Sequence, residues 1–197
     1  MGRDRDPFDR TIAYLREHLA SWPPLQGAVL SINGLAQTLD VSQTPVREAL
    51  ATLAGEGLIV RTPAGYAGAT YDSATLAARY TFAGLLAIQM IRSAPLGPLD
   101  ADEDHPRLET VMGVLATLAG DLVIREAARR VAAQLAPFTA SASTVLGDEP
   151  RTLSRLALAW RGGDRAAVLG AVRDHYARRR RAAARILSVA IGLGPGR

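Results

Sequence analysis

Apolar positions recur with helical spacing along most of the chain, and the pattern changes character once. Phe8, Ile12, Leu15 and Leu19 lie three and four residues apart. That spacing puts them on one face and predicts a helix over 8–20. Trp22, Pro23 and Pro24 stop it. Leu30 and Ile32 lead into a second short helix over 32–39, and Asp40, Val41 and Ser42 form a tight turn. A third helix runs from Ser42 or Thr44 to Gly55. Pro45 sits in its first turn, where a missing N–H costs nothing, and Ser42 or Thr44 supplies the cap. Leu58, Ile59 and Val60 read as a short strand, residues 62–65 as turn chemistry, and 66–71 as a returning strand.

After Tyr71 no strand signal survives. Residues 73–94 carry Leu76, Tyr80, Ala83, Ile88 and Ile91 at helical spacing. A Pro/Gly/Asp-rich break over 95–106 follows, then helical segments over 107–119, 121–137, 150–161 and 164–191. Breaks fall at Gly120, over 144–150, and at Gly162 and Gly163, and residues 192–197 form a tail. The expected fold is mainly α: a winged helix-turn-helix over 1–71 and an all-helical bundle over 72–197.

Composition narrows the function classes. Hydrophobic residues are 48% of the chain but aromatics only 5%, so Ala, Leu and Val carry the apolar content, which favours helices. There is no cysteine, which excludes disulfides and cysteine-ligated metals. The first six residues are rich in charge, with Arg3, Asp4, Arg5 and Asp6, and form no secretory signal, and no apolar run approaches the ~20 residues of a membrane span. A cytoplasmic protein is expected. The net charge of +4 suits an acidic partner such as DNA. Much of the excess is arginine late in the chain, where a solvated helix face is the plainer account.

The third helix carries the sharpest signal. Val46, Ala49, Leu50 and Leu53 share one face, suited to packing on the first two helices. Gln43, Thr44, Arg47 and Ala51 fall on the other. An exposed face that begins with short polar groups and one arginine is what a recognition helix needs. Its N-terminal end enters the major groove, hydroxyls and N–H groups hold phosphates, and an arginine fork donates to O6 and N7 of guanine.

The run LAQTLDVSQTPVREALATLAGEGL, residues 35–58, resembles the winged-helix signature of GntR-family regulators. The resemblance covers about residues 8–70. It implies that Arg47 reads bases, that Ser42, Thr44 and Asn33 contact the DNA backbone, and that the wing near Gly65 approaches the minor groove. The family usually has arginine where this chain has Gln43 and glycine where it has Asp40, and its wing tip is usually basic near Gly65. Gln43 keeps a base-reading role, because glutamine reads adenine bidentately.

Within that family the helical half looks like the FCD effector domain of the FadR subfamily, most clearly over 156–175 with Gly163, Asp164, Ala167 and His175. Many members bind a divalent metal through one Asp and three His. Aligned on the shared turns, Leu108, Met112 and Leu153 replace the Asp and two of the histidines, leaving only His175. Such sites need about three protein ligands, so no metal or other cofactor is expected. His175 and Arg179 are neighbours on one helix face, and Arg79 matches an arginine that faces the cavity in relatives. Together they suit a small organic-acid effector. A packed core histidine beside a snorkelling arginine explains the same residues.

No catalytic set is present: His18, His105 and His175 lie in different segments without a matched nucleophile. The expected protein is a homodimeric DNA-binding transcriptional regulator, a repressor, whose helical half dimerises and holds an anionic effector. Two alternatives stay open: a dimeric DNA-binding protein with no effector, and a carrier or enzyme with a winged-helix appendage.

Overall fold

The computed structural model describes residues 6–21, 23–96, 121–147 and 149–193. The expected helix over 107–119, with Leu108 and Met112, lies outside them. The chain divides into two compact units, Met1–Tyr71 and Asp72–Arg197.

The first unit contains α1 (Pro7–Ser21), β1 (Val29–Leu30), α2 (Ile32–Leu39), α3 (Gln43–Gly55), β2 (Ile59–Thr62) and β3 (Gly65–Gly68). α1 and α2 both pack on α3, and α3 packs on β2. Val46, Ala49, Leu50 and Leu53 of α3 are fully buried, with Leu15, Ala36, Ile59 and Tyr66 around them. The apolar stripe expected on α1 is the face that meets this core, although only Leu15 of the four is fully buried. Burying that much aliphatic surface is the main stabilising term, at roughly 25 cal/mol per Å².

Both strand expectations hold with shifted bounds, and the sheet has a third member. Its order is β1-β3-β2, all antiparallel. β1 pairs Val29 with Ala67 and Leu30 with Tyr66. Two residues are too few to show an alternating pattern, which is why β1 is invisible in the sequence. Thr62 pairs with Gly65, so Pro63 and Ala64 form the tip of the wing. Gly65 takes φ +127°, which side chains rarely adopt. At Gly68 a Cβ would stand 2.2 Å from the Cβ of Leu25, so only glycine fits there.

The second unit contains α4 (Ser73–Ser93), α5 (Leu122–Leu135), a 3₁₀ turn (Ala136–Phe138), α6 (Thr139–Leu146), α7 (Glu149–Arg161), α8 (Arg165–Arg181) and α9 (Ala183–Ala190). α4 is the central helix, packed on α8, α5 and α9. A Cβ on Gly84 would meet the Tyr176 ring and Cβ at 3.0–3.2 Å, so the missing side chain lets α4 and α8 approach closely. Asp72, Asp121 and Asp164 cap α4, α5 and α8 by accepting from N–H groups of their first turns. The far end of α4 is held by Arg165, which donates to the carbonyls of Ile91 and Ala94.

Two expectations change here. The segment over 139–146, whose last three residues fall in the expected break over 144–150, forms α6, although Thr, Ser and Ala there are a weak helix signal; Pro137 lies in the 3₁₀ turn that follows α5. The single helix expected over 164–191 is two, with Ala182 at φ −92°, ψ 3° between them while i→i−4 bonding continues on either side. Among the described residues one helix, α4, is long and apolar enough to cross a membrane. Leu76, Tyr80, Ala83, Gly84, Ala87, Met90 and Ile91 of this helix are buried inside the unit, which is how a core helix acquires that composition.

Candidate nucleic-acid interface

α3 begins at Gln43, with Ser42 in extended conformation at its N-cap position. Ser42 makes no capping hydrogen bond, contrary to the expected cap, so its hydroxyl takes none of the N–H groups of the first turn. Ser42, Gln43, Thr44 and Arg47 are all exposed, while Val46, Ala49 and Leu50 between and after them are sealed in the core. The structure therefore brings four of the six expected residues onto one surface spanning the first two turns. Arg47 Nη2 donates to Gln43 Oε1 at 3.2 Å. Asn33 is exposed in the first turn of α2, and Gly65 lies at the wing hairpin.

α2 and α3 are joined by an unusual turn. Asp40 holds φ +51°, ψ 55°, where the family usually has glycine. Aspartate is among the few non-glycine residues that tolerate this left-handed region. The chain thus keeps the turn geometry at a small conformational cost. Val41 N–H bonds to Ala36 O at 3.1 Å and closes the turn. Arg10 of α1 donates to Leu39 O at 3.0 Å, and Arg16 pairs with Glu56 at 2.5 Å, tying α1 to the turn and to the far end of α3.

Ser42 and Thr44 also line a cleft of about 590 Å³ that runs to the start of α1. Asp6, Asp40 and Glu48 stand there against the single cation Arg10. That balance disfavours a phosphate deep in the cleft, whereas the exposed Ser42 and Thr44 also belong to the surface that carries Gln43 and Arg47.

One basic residue of the wing was missed in the sequence. Arg61 is exposed on β2 and pairs directly with Tyr66. Side chains alternate along a strand, so Arg61 shares a sheet face with the buried Ile59 and Tyr66, the face turned toward the helices. The charge lacking at the wing tip is therefore carried one pair before it. Strand alternation through Ile59 is the signal that locates it.

The residues expected to hold an effector lie in the second unit. Arg79 of α4 is partly buried and donates to the buried Gln134 of α5. His175 and Arg179 of α8 are both buried, with Arg179 Nη1 2.7 Å from His175 Nδ1. A guanidinium only donates, so Nδ1 accepts and the remaining imidazole proton sits on Nε2. Burial, then the charges of Arg179 and Arg178, hold the imidazole well below its ordinary pKa, so His175 is neutral at pH 7. His175 therefore offers an Nε2–H donor rather than a positive charge. A nitrogen facing a guanidinium is a poor ligand for a cation. Among the described residues no three His, Asp or Glu converge.

Residues 7–65 match the family described as bacterial regulatory proteins, gntR family. No curated protein matches the chain. A GntR family transcriptional regulator from Pseudomonas syringae pv. tomato str. DC3000 is 18% identical over 98% of this chain and 91% of that one, with a TM-score of 0.48. E. coli McbR/YncC is 16% identical, with 95% of this chain and 96% of that one covered and a TM-score of 0.55. The second likeness extends the common fold across both units. The segment that holds α1 to the wing, residues 7–65, is thus a regulator domain of the gntR family.

Proposed function

We propose that the chain is a sequence-specific DNA-binding transcription regulator, a cytoplasmic repressor of FadR type that acts as a homodimer on double-stranded DNA. The observation that carries this reading is the exposed array of Ser42, Gln43, Thr44 and Arg47 opposite the fully buried face of α3, within the family-matched segment. Arg47 reads a base edge, Ser42, Thr44 and Asn33 meet the DNA backbone, and the wing at Gly65, with Arg61, reaches the neighbouring groove. The reading assigns no reaction, in keeping with a family of regulatory proteins. Arg47→Ala is expected to lose about 1–3 kcal/mol on a specific site and to relax a preference for guanine. A mobility-shift titration checks it; unchanged affinity in a variant with wild-type circular dichroism removes Arg47 from the role.

Dimerisation is supported by α4, which leaves Phe82 48% and Leu85 62% exposed three residues apart on one face. Pairing through this face covers them and supplies two recognition helices for a two-fold operator. The double variant Phe82→Glu, Leu85→Glu is expected to run as a monomer in light scattering at micromolar concentration. A persistent dimer places the interface elsewhere.

The helical unit is also read as the effector domain, with Arg79, Arg179 and the Nε2–H of His175 suited to a small organic anion. A second reading, dimerisation with no effector, is favoured by one observation: the two guanidinia already donate to Gln134 and His175 within the unit. Thermal shift of the full chain against a panel of mono- and dicarboxylates separates them. Stabilisation that disappears in Arg179→Gln supports the effector; a flat response across the panel supports the second reading.

A further inference from the structure

We propose that Gln43 and Arg47 read the operator as one donor-only unit that selects two adjacent keto bases, guanine or thymine, and rejects adenine at the Gln43 position. This rests on the reading of α3 as the recognition helix and goes beyond it in base chemistry. Glutamine reads adenine by accepting from N6–H₂ through Oε1 while donating to N7 through Nε2. In this chain Oε1 is already engaged, because Arg47 Nη2 donates to it at 3.2 Å. One lone pair on Oε1 remains. However, the cationic guanidinium lies beside it, and an exocyclic amino group brought there meets like-signed N–H groups.

What the pair presents outward is the amide Nε2–H₂ and the other N–H groups of Arg47, all donors. Major-groove edges that accept without donating belong to guanine, through O6 and N7, and to thymine, through O4. Adenine and cytosine each bring an amino donor. Both side chains are exposed and one helical turn apart, a spacing that spans neighbouring base pairs, and nothing from the apolar face of α3 intrudes between them. The arginine thus sets the specificity of the glutamine by occupying its acceptor.

Selection from a pool of random duplex DNA with the full-length protein tests this, followed by the same selection with Gln43→Ala and Arg47→Ala. The wild type is expected to enrich guanine or thymine at two adjacent positions, with adenine about tenfold depleted at both. Gln43→Ala identifies its position by relaxing one of the two while the guanine read by Arg47 stays. Arg47→Ala frees Oε1 and is expected to turn the Gln43 position toward adenine. If that variant enriches nothing, Gln43→Ala decides alone, since the keto preference must relax at one position and adenine must become tolerated there. Adenine enriched by the wild type at the Gln43 position overturns the proposal and leaves the DNA-binding reading standing. So does an Arg47→Ala profile that still rejects adenine there. A wild-type protein that enriches no sequence overturns both.

Discussion

The two units treat polar side chains in opposite ways. In the first, the core of α1, α2, α3 and the sheet is aliphatic apart from Tyr66 and the buried Thr11, whose hydroxyl is satisfied one turn back by Pro7 O at 2.7 Å. Its informative polar groups, from Ser42 to Arg47, point out. In the second, Gln134, His175 and Arg179 are buried, and each of them is matched to a polar partner from the same unit. Buried polar groups cost several kcal/mol without a partner and little with one. The outward set therefore has hydrogen-bonding capacity to spend on a ligand, whereas the inward set has used much of its capacity on the fold.

The largest break of this contrast is made at Leu50, fully buried among α1, α2 and α3. Leu50→Ala is expected to lose about 2–5 kcal/mol. Thermal unfolding followed by tryptophan-independent near-ultraviolet and far-ultraviolet circular dichroism should show the first unit melting earlier and DNA binding lost with it. A single unshifted transition argues against an apolar core centred on α3.

The second unit is tested through pH. His175 is neutral and held below its ordinary value of 6.5, so the unfolded chain binds a proton more readily than the folded one. Stability from this group is complete above about pH 6.5 and falls as the pH drops through that value. Melting of the helical unit is expected to shift down between pH 7.5 and 5.5. In His175→Gln, whose side chain still accepts from Arg179 without titrating, that slope should flatten. Asp72, whose carboxyl is lowered from 3.8 by the Thr75 N–H, acts only at more acidic pH and leaves this window clear. An unchanged slope in His175→Gln assigns the acid sensitivity to other groups.

The smallest effect is expected at Asp40. Asp40→Gly relieves the left-handed backbone and should stabilise the first unit by about 0.5–1 kcal/mol, measured by denaturant midpoint at constant m-value. It also removes a carboxylate beside Ser42 and Thr44, so DNA affinity at low salt should rise slightly rather than fall.

The contrast also explains what the sequence makes legible. α3 is readable because one helix puts apolar and polar residues on opposite faces, so Val46, Ala49, Leu50 and Leu53 announce the core and Gln43, Thr44 and Arg47 the surface. The hydrogen bond from Arg47 to Gln43 follows from i,i+4 spacing, but its choice of Oε1 over solvent does not. β1 is too short to carry a pattern. α6 is hidden by small, weakly helical residues whose order comes from packing on α9 and the neighbouring 3₁₀ turn. The adjacency of His175 and Arg179 was visible; the neutral state of the imidazole was not, because it depends on burial by other helices.

The hold of Arg165 on the carbonyls of Ile91 and Ala94 has a consequence for how this chain tolerates change. Helices commonly close on the residues that follow them, through a glycine or a turn, and editing those residues then frays the helix. α4 is closed in addition by a side chain more than seventy positions downstream. The last turn of the central helix is thus tied to α8 as well as to its own Ser93, whose hydroxyl donates to the carbonyls of Gln89 and Met90. A substitution at Arg165 is therefore expected to fray the end of α4, far along the chain from the change itself.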